Sequence, residues 1–132
     1  FNSYGLTECS GTITVSPPGA SLDVLSETVG QPVEAGLLRI ADDERELPAG
    51  EQGEVQVRGR HLFCGYLNQT QATAEAFTAD GWLRTRDLGA VDAQGNVRLL
   101  GRTHDMFKSG GYNVYPREVE GVIESLAGVE LC

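Results

Sequence analysis

Residues able to hold an anion are concentrated between Gly101 and Glu120. Arg102 offers a planar fork for a phosphate or a diol, and Lys108 a mobile point charge. Gly110 and Gly111 tolerate positive φ and let backbone come close to a ligand. The same run also reads as a hairpin leading into a surface helix with solvated charges. A second cluster opens the chain, Asn2-Ser3-Tyr4-Gly5-Leu6-Thr7-Glu8. The Tyr4 ring is a stacking face for a purine, and Gly5 permits close approach. Thr7 can donate to a phosphate oxygen, and Glu8 can hold a hard cation such as Mg²⁺. A Thr-Glu pair also suits helix capping. The third cluster is Thr85-Arg86-Asp87, read as the end of a strand opened by Trp82-Leu83. A carboxylate at a strand end can accept both hydroxyls of a ribose.

These three segments, in this order and spanning nearly the whole chain, resemble the adenylate-forming superfamily. That family comprises acyl- and aryl-CoA ligases, firefly-type luciferases and the adenylation domains of peptide synthetases. The resemblance implies Tyr4 and Gly5 beside adenine, Thr7 at the phosphate, Glu8 at magnesium, and Asp87 with Arg102 at the ribose. It implies that His104 is a hinge, and that Lys108, Gly110 and Gly111 swing towards the adenylate for thioester formation. Thr7, Glu8 and Lys108 are then the catalytic set. Arg86 stands where the family usually has glycine. An ordinary backbone conformation pointing outward is expected for it, the alternative being an added cation near the phosphates.

The implied activity is ATP-dependent activation of a carboxylic acid, fatty or cyclic, to an acyl-adenylate, followed by transfer to CoA. ATP or AMP, Mg²⁺ and CoA are the implied ligands. Two other readings stay open: an adenylation domain passing its acyl group to a carrier-protein thiol, and a non-catalytic nucleotide-binding module. The chain starts at Phe1 without an initiator Met and stops at Cys132 after an amphipathic helix, so an internal piece of a longer enzyme is expected. The family's upstream phosphate loop and its C-terminal lysine are not among these residues.

Composition sets outer limits. A chain of 132 residues can form one domain, burying roughly two-thirds of its unfolded surface. A net charge of −9 argues against nucleic acid as a partner, because phosphate neutralisation needs a basic face. Cys9, Cys64 and Cys132 match neither a disulfide framework nor a zinc pattern, which points to free thiols in a reducing cytoplasm. No apolar run approaches the length of a membrane span.

The elements that must position these residues are mostly strands. Ser10 to Gly19 reads as a Ser/Thr/Gly/Pro-rich loop. Leu37 to Ile40 reads as a short strand, and Glu54 to Arg58 alternates as a half-buried one. The run from His61 to Leu67, with Phe63 and Tyr66, reads as core. Asn68 to Phe77 reads as a helix capped by Asn68 or Thr70. Val91 to Val97 reads as a hairpin, and Pro116 starts a helix with an apolar stripe of Val119, Val122, Ile123 and Leu126. The expected class is α/β, as an α+β fragment. Residues 1–103 would be the end of a large AMP-binding domain, and 104–132 a hinge and the start of a small one.

Overall fold

The computed structural model describes residues 1–103, 105, 107–110 and 112–129. Three antiparallel sheets carry the fold. Strands β1 (Ser3–Leu6), β2 (Gly11–Val15) and β3 (Gln31–Pro32) form the first, with a short helix α1 (Leu22–Glu27) between β2 and β3. The second joins β4 (Leu38–Asp42), β5 (Arg45–Glu46), β6 (Gly53–Val57), β7 (Leu83–Val91) and β8 (Val97–Arg102) in the order β5-β4-β6-β7-β8. Helix α2 (Thr70–Glu75) precedes β7, and the chain ends with the hairpin β9 (Phe107–Ser109) and β10 (Tyr112–Val114) and helix α3 (Pro116–Glu124). His104, Gly111 and Cys132 lie outside the described residues.

The core is where the first two sheets meet. Cys9 and Ile13 pack with Leu37, Ile40, Val55, Val57, Ala76 and Leu83, and Tyr4, Leu6 and Phe63 close its edge. Strand β2 corrects the loop expected over Ser10 to Gly19. Its Thr12-Ile13-Thr14-Val15 run is β-branched throughout, the side chain type that packs best on a pleated surface. Both Ile13 and Thr14 are fully buried, and Thr14 meets its polar obligation by donating to the Val29 carbonyl at 2.6 Å.

Strand β6 is buried on both faces, not one. Its apolar face, Val55 and Val57, joins the core. The opposite face carries Gln56, which is also fully buried, under a polar layer. The Gln56 side chain accepts from Arg39 Nε at 2.9 Å and donates to the Asp43 carbonyl at 2.6 Å and to Glu54 at 3.0 Å. Arg39 pairs with Asp80 at 3.0 Å, and the guanidiniums of Arg39 and Arg58 each lie 4.5 Å from the Trp82 ring centroid. A strand with polar alternation stays buried here because both ends of the Gln56 amide have partners.

Local signals near the site are followed closely. Asp92 closes the β7–β8 turn by accepting from the backbone of Gln94 at 2.9 Å and of Asn96 at 2.8 Å. Pro116 occupies the first turn of α3, as its fixed φ allows. The α3 stripe of Val119, Val122, Ile123 and Leu126 is exposed. Helix α2 has no side-chain cap; Gln69 holds that position, and Asn68 instead takes a left-handed conformation at φ 57°.

Gly5 is demanded by strand packing. A Cβ there would lie 2.0 Å from the Gly11 carbonyl oxygen, at the irregularity where β1 shifts register against β2. Gly5→Ala should therefore lower stability by about 1–3 kcal/mol through overpacking, read as a fall in denaturant midpoint. An unchanged midpoint would mean that the β1–β2 pair can widen freely.

Candidate active site

The site is built on an irregularity in β7. Across the β6–β7 pair, Gln56 faces Arg84 and Glu54 faces Leu88, so Thr85, Arg86 and Asp87 all stand opposite Val55. Such a bulge leaves backbone groups unpaired and re-aims side chains. Here side chains supply the missing partners. Thr85 Oγ1 donates to the Val55 carbonyl at 2.7 Å and accepts from the Asp87 amide at 3.1 Å. The Arg86 amide donates to Glu54 Oε1 at 3.1 Å. The Arg86 carbonyl accepts from Thr103, from its amide at 2.8 Å and its hydroxyl at 3.1 Å. Asp87 thus lies within a nine-residue strand, not at its end.

The register of the β7–β8 hairpin sets Arg102 directly across from Asp87. Arg102 Nε donates to Asp87 Oδ1 at 3.1 Å, and the Tyr4 hydroxyl donates to Asp87 Oδ2 at 2.6 Å. Both carboxylate oxygens are engaged, and Asp87 is 7% exposed. Burial, reinforced by the bond to Asp87, holds the Tyr4 phenol well above its ordinary value. Residues 83 positions apart are therefore in direct contact.

Two clefts adjoin here, and Asp87 lines one of them. One, of about 450 Å³, is lined by Tyr4, Gly5, Asp87, Leu99, Arg102 and Pro116. The other, of about 550 Å³, is lined by Glu8, Tyr66, Thr85, Arg86 and Arg102, with Leu83 at its base. Leu6, Arg102 and Asp105 border both. Glu8 and Thr7 belong to a 3-10 turn, Thr7–Cys9, whose end reverses at Ser10 in a left-handed conformation. The turn separates them: Glu8 faces the larger cleft, whereas Thr7 lines a shallow depression with Gly5, Ser10 and Gly11.

Tyr66 has a role that the core reading of His61 to Leu67 did not contain. Phe63 does pack on the core, stacked on Phe77 at 5.9 Å between ring centroids. Tyr66 stands edge-on to Phe63 at 4.8 Å and is 38% exposed, its hydroxyl donating to Glu8 Oε1 at 2.8 Å. That bond raises the Tyr66 phenol above its ordinary value; burial adds to the rise and Arg86 opposes it. With the partners 58 positions apart, no local spacing in the sequence announces this contact.

Arg86 differs from the expectation of an ordinary backbone. Its φ of 64° is left-handed, a region that a residue with a long side chain seldom enters. The bulge imposes it, because the peptide units on both sides are pinned by Glu54 and Thr103.

The remaining expected residues are distributed as follows. Lys108 lies in β9, paired with Asn113, and Gly110 occupies the β9–β10 turn at φ 57°. The pivot assigned to His104 and the part assigned to Gly111 fall outside the described residues. No group of three or more His, Cys, Asp or Glu able to hold a metal occurs among the described residues. Among them, too, no helix is long and apolar enough to cross a membrane.

Comparison with known proteins identifies the family and the fold. The AMP-binding enzyme family profile matches residues 1–67. The chain belongs to this family, the adenylate-forming enzymes. It is 46% identical over 129 residues to a methyl-dioxo-octahydro-indenyl-propanoyl:CoA ligase of Mycobacterium tuberculosis, covering 98% of the chain and 24% of that ligase. The o-succinylbenzoate CoA synthetase of Bacillus subtilis, in complex with its acyl-adenylate intermediate, superposes with a TM-score of 0.88. Identity is 35%, over 98% of this chain and 26% of that one. The same synthetase in complex with ATP and a magnesium ion gives a TM-score of 0.85 at 33% identity, over 98% and 27%. The chain spans about a quarter of the length of the relatives it matches.

Next to Glu8, burial pushes the Cys9 thiol up to about 11, with the Glu8 charge adding to the rise. The folded chain keeps this proton where an unfolded chain loses it. The associated stability is intact below the ordinary value of 9.0 and is lost as pH climbs through about 11. At pH 8, Cys9 should carry roughly a hundredfold less thiolate than an ordinary cysteine. Iodoacetamide should accordingly label exposed Cys64 first, with Cys9 reacting only on unfolding. Mass spectrometry of the labelled peptides checks this, and equal labelling rates would contradict it.

Proposed function

We propose that the protein carrying this chain activates a carboxylic acid with ATP to an acyl-adenylate, and then transfers the acyl group to CoA. The observation that carries the reading is the Asp87 carboxylate, bridged by Tyr4 and Arg102 in one cleft, with Arg102 also lining the adjoining cleft that holds Glu8. Related proteins of this family are named as CoA ligases, and one is described with an acyl-adenylate and with ATP and magnesium.

In this reading Asp87 and Arg102 hold the ribose. Asp87 has both oxygens committed to protein donors, so a ribose hydroxyl uses their remaining lone pairs or displaces the Tyr4 hydroxyl. Tyr4 and Gly5 flank the adenine, and Thr7 serves the phosphate side. Glu8 fits a hard cation: Tyr66 fixes one oxygen, and Oε2 has no donor among the described residues. One carboxylate plus substrate phosphates is a normal Mg²⁺ environment. When bound, the ion supplies charge stabilisation at the phosphates; the protein orients the Glu8 carboxylate that receives it.

Residues 1–103 end the large domain in this reading, and 104–132 start the small one with His104 as hinge. Lys108, Gly110 and Gly111 then act in the thioester step. The acid is fatty or cyclic and the protein is cytoplasmic; Cys9 and Cys64 are free thiols.

Two experiments test these assignments in the full-length protein. Asp87→Asn should weaken AMP and ATP binding alike, about tenfold for a charge-assisted contact, measured by titration calorimetry. Glu8→Gln should instead suppress Mg²⁺-dependent ATP–pyrophosphate exchange while sparing AMP affinity. Exchange that persists undiminished in Glu8→Gln would remove Glu8 from the metal. The 132-residue chain alone, which holds neither the phosphate loop nor the C-terminal lysine, should give no exchange.

A further inference from the structure

The geometry points to Arg86 as a binding residue for the di- and triphosphate portion of the nucleotide, a role that rests on the reading above. The first ground is position. Arg86 lines the same cleft of about 550 Å³ as Glu8, Tyr66 and Arg102. The second is that its charge is uncommitted. Arg84, on the same cleft, is neutralised by Asp43 at 2.7 Å and Glu54 at 3.3 Å, and Arg102 pairs with Asp87 at 3.1 Å. The Arg86 guanidinium has no hydrogen bond or ion pair among the described residues; only its backbone is bonded. Of the three arginines lining this cleft, Arg86 is the one with no carboxylate partner among the described residues, which leaves its charge for an anion.

The third ground is the backbone. A φ of 64° suits glycine, and arginine occupies it at a cost glycine does not carry. Backbone economy therefore does not select this side chain. Pinning of the flanking peptides by Glu54 and Thr103 fixes the direction in which the side chain leaves the strand. A polyphosphate that meets a cation at Glu8 remains net negative. A guanidinium on the same wall supplies a planar fork for its outer oxygens and offsets the charge that builds as pyrophosphate departs. AMP, lacking those oxygens, does not need it.

The glycine preference makes a clean test. Arg86→Gly in the full-length protein removes the guanidinium and relaxes the backbone, so its melting temperature should equal or exceed that of the unsubstituted protein. Its affinities for ATP and for inorganic pyrophosphate, with Mg²⁺ present, should fall roughly ten- to hundredfold. AMP affinity should stay within about twofold, and Arg86→Lys should fall between the two. An Arg86→Gly variant that binds ATP normally overturns the assignment. So does one that loses ATP and AMP equally, or one in which only the KM for the acid rises. Failure of the unsubstituted protein to bind either nucleotide would overturn the underlying nucleotide reading itself.

Discussion

The constraint on which the site depends is the placing of Thr85, Arg86 and Asp87 opposite the single residue Val55. In an unbroken ladder, side chains alternate faces strictly, and a shift of one residue sends each to the other face. The bulge breaks that alternation at one point. It brings Asp87 under the Tyr4 hydroxyl while leaving Val55 in the core. The hairpin at Asp92–Asn96 then fixes which residue of β8 meets the carboxylate, and that residue is Arg102. The contacts around Asp87 are thus assembled from segments distant in sequence by strand pairing and one short turn.

Charge is handled in two different ways on the two sides of β6. Away from the clefts, Arg39 is buried under Trp82 and matched by Asp80 and Gln56, so its cation contributes to packing and is closed to ligands. A buried guanidinium is tolerable only with that degree of matching. Arg84 shows the transition: it borders a cleft, yet Asp43 and Glu54 hold it. What the cleft presents to solvent is therefore a small set of groups whose charge is not already spent on the fold.

Much of this was readable from residues in sequence. The Asp92-to-Asn96 turn, the Pro-started helix and the alternation of β6 depend on local chemistry, and each occurs close to its expected place. The three site segments were legible as types of residue. Their contacts were not, because Tyr4 with Asp87 and Tyr66 with Glu8 are long-range pairs decided by sheet order. Strand β2 was obscured by Ser, Thr and Gly, whose loop preference yields to burial of Ile13 and Thr14. The Arg86 conformation was hidden for a related reason: a bulge is a property of two strands, and one strand's residues do not reveal it.

The stacked arginines have an optical corollary. Trp82 is the chain's sole tryptophan, 6% exposed, with two guanidinium carbons 4.5 Å from its ring centroid. Indole emission responds to nearby charge and to water, so the fluorescence of this residue is a built-in gauge of the polar layer. Leu83, its neighbour in sequence, is a wall of the larger cleft. A ligand that tightens or slackens the strand there has an unlabelled spectroscopic reporter one peptide bond away.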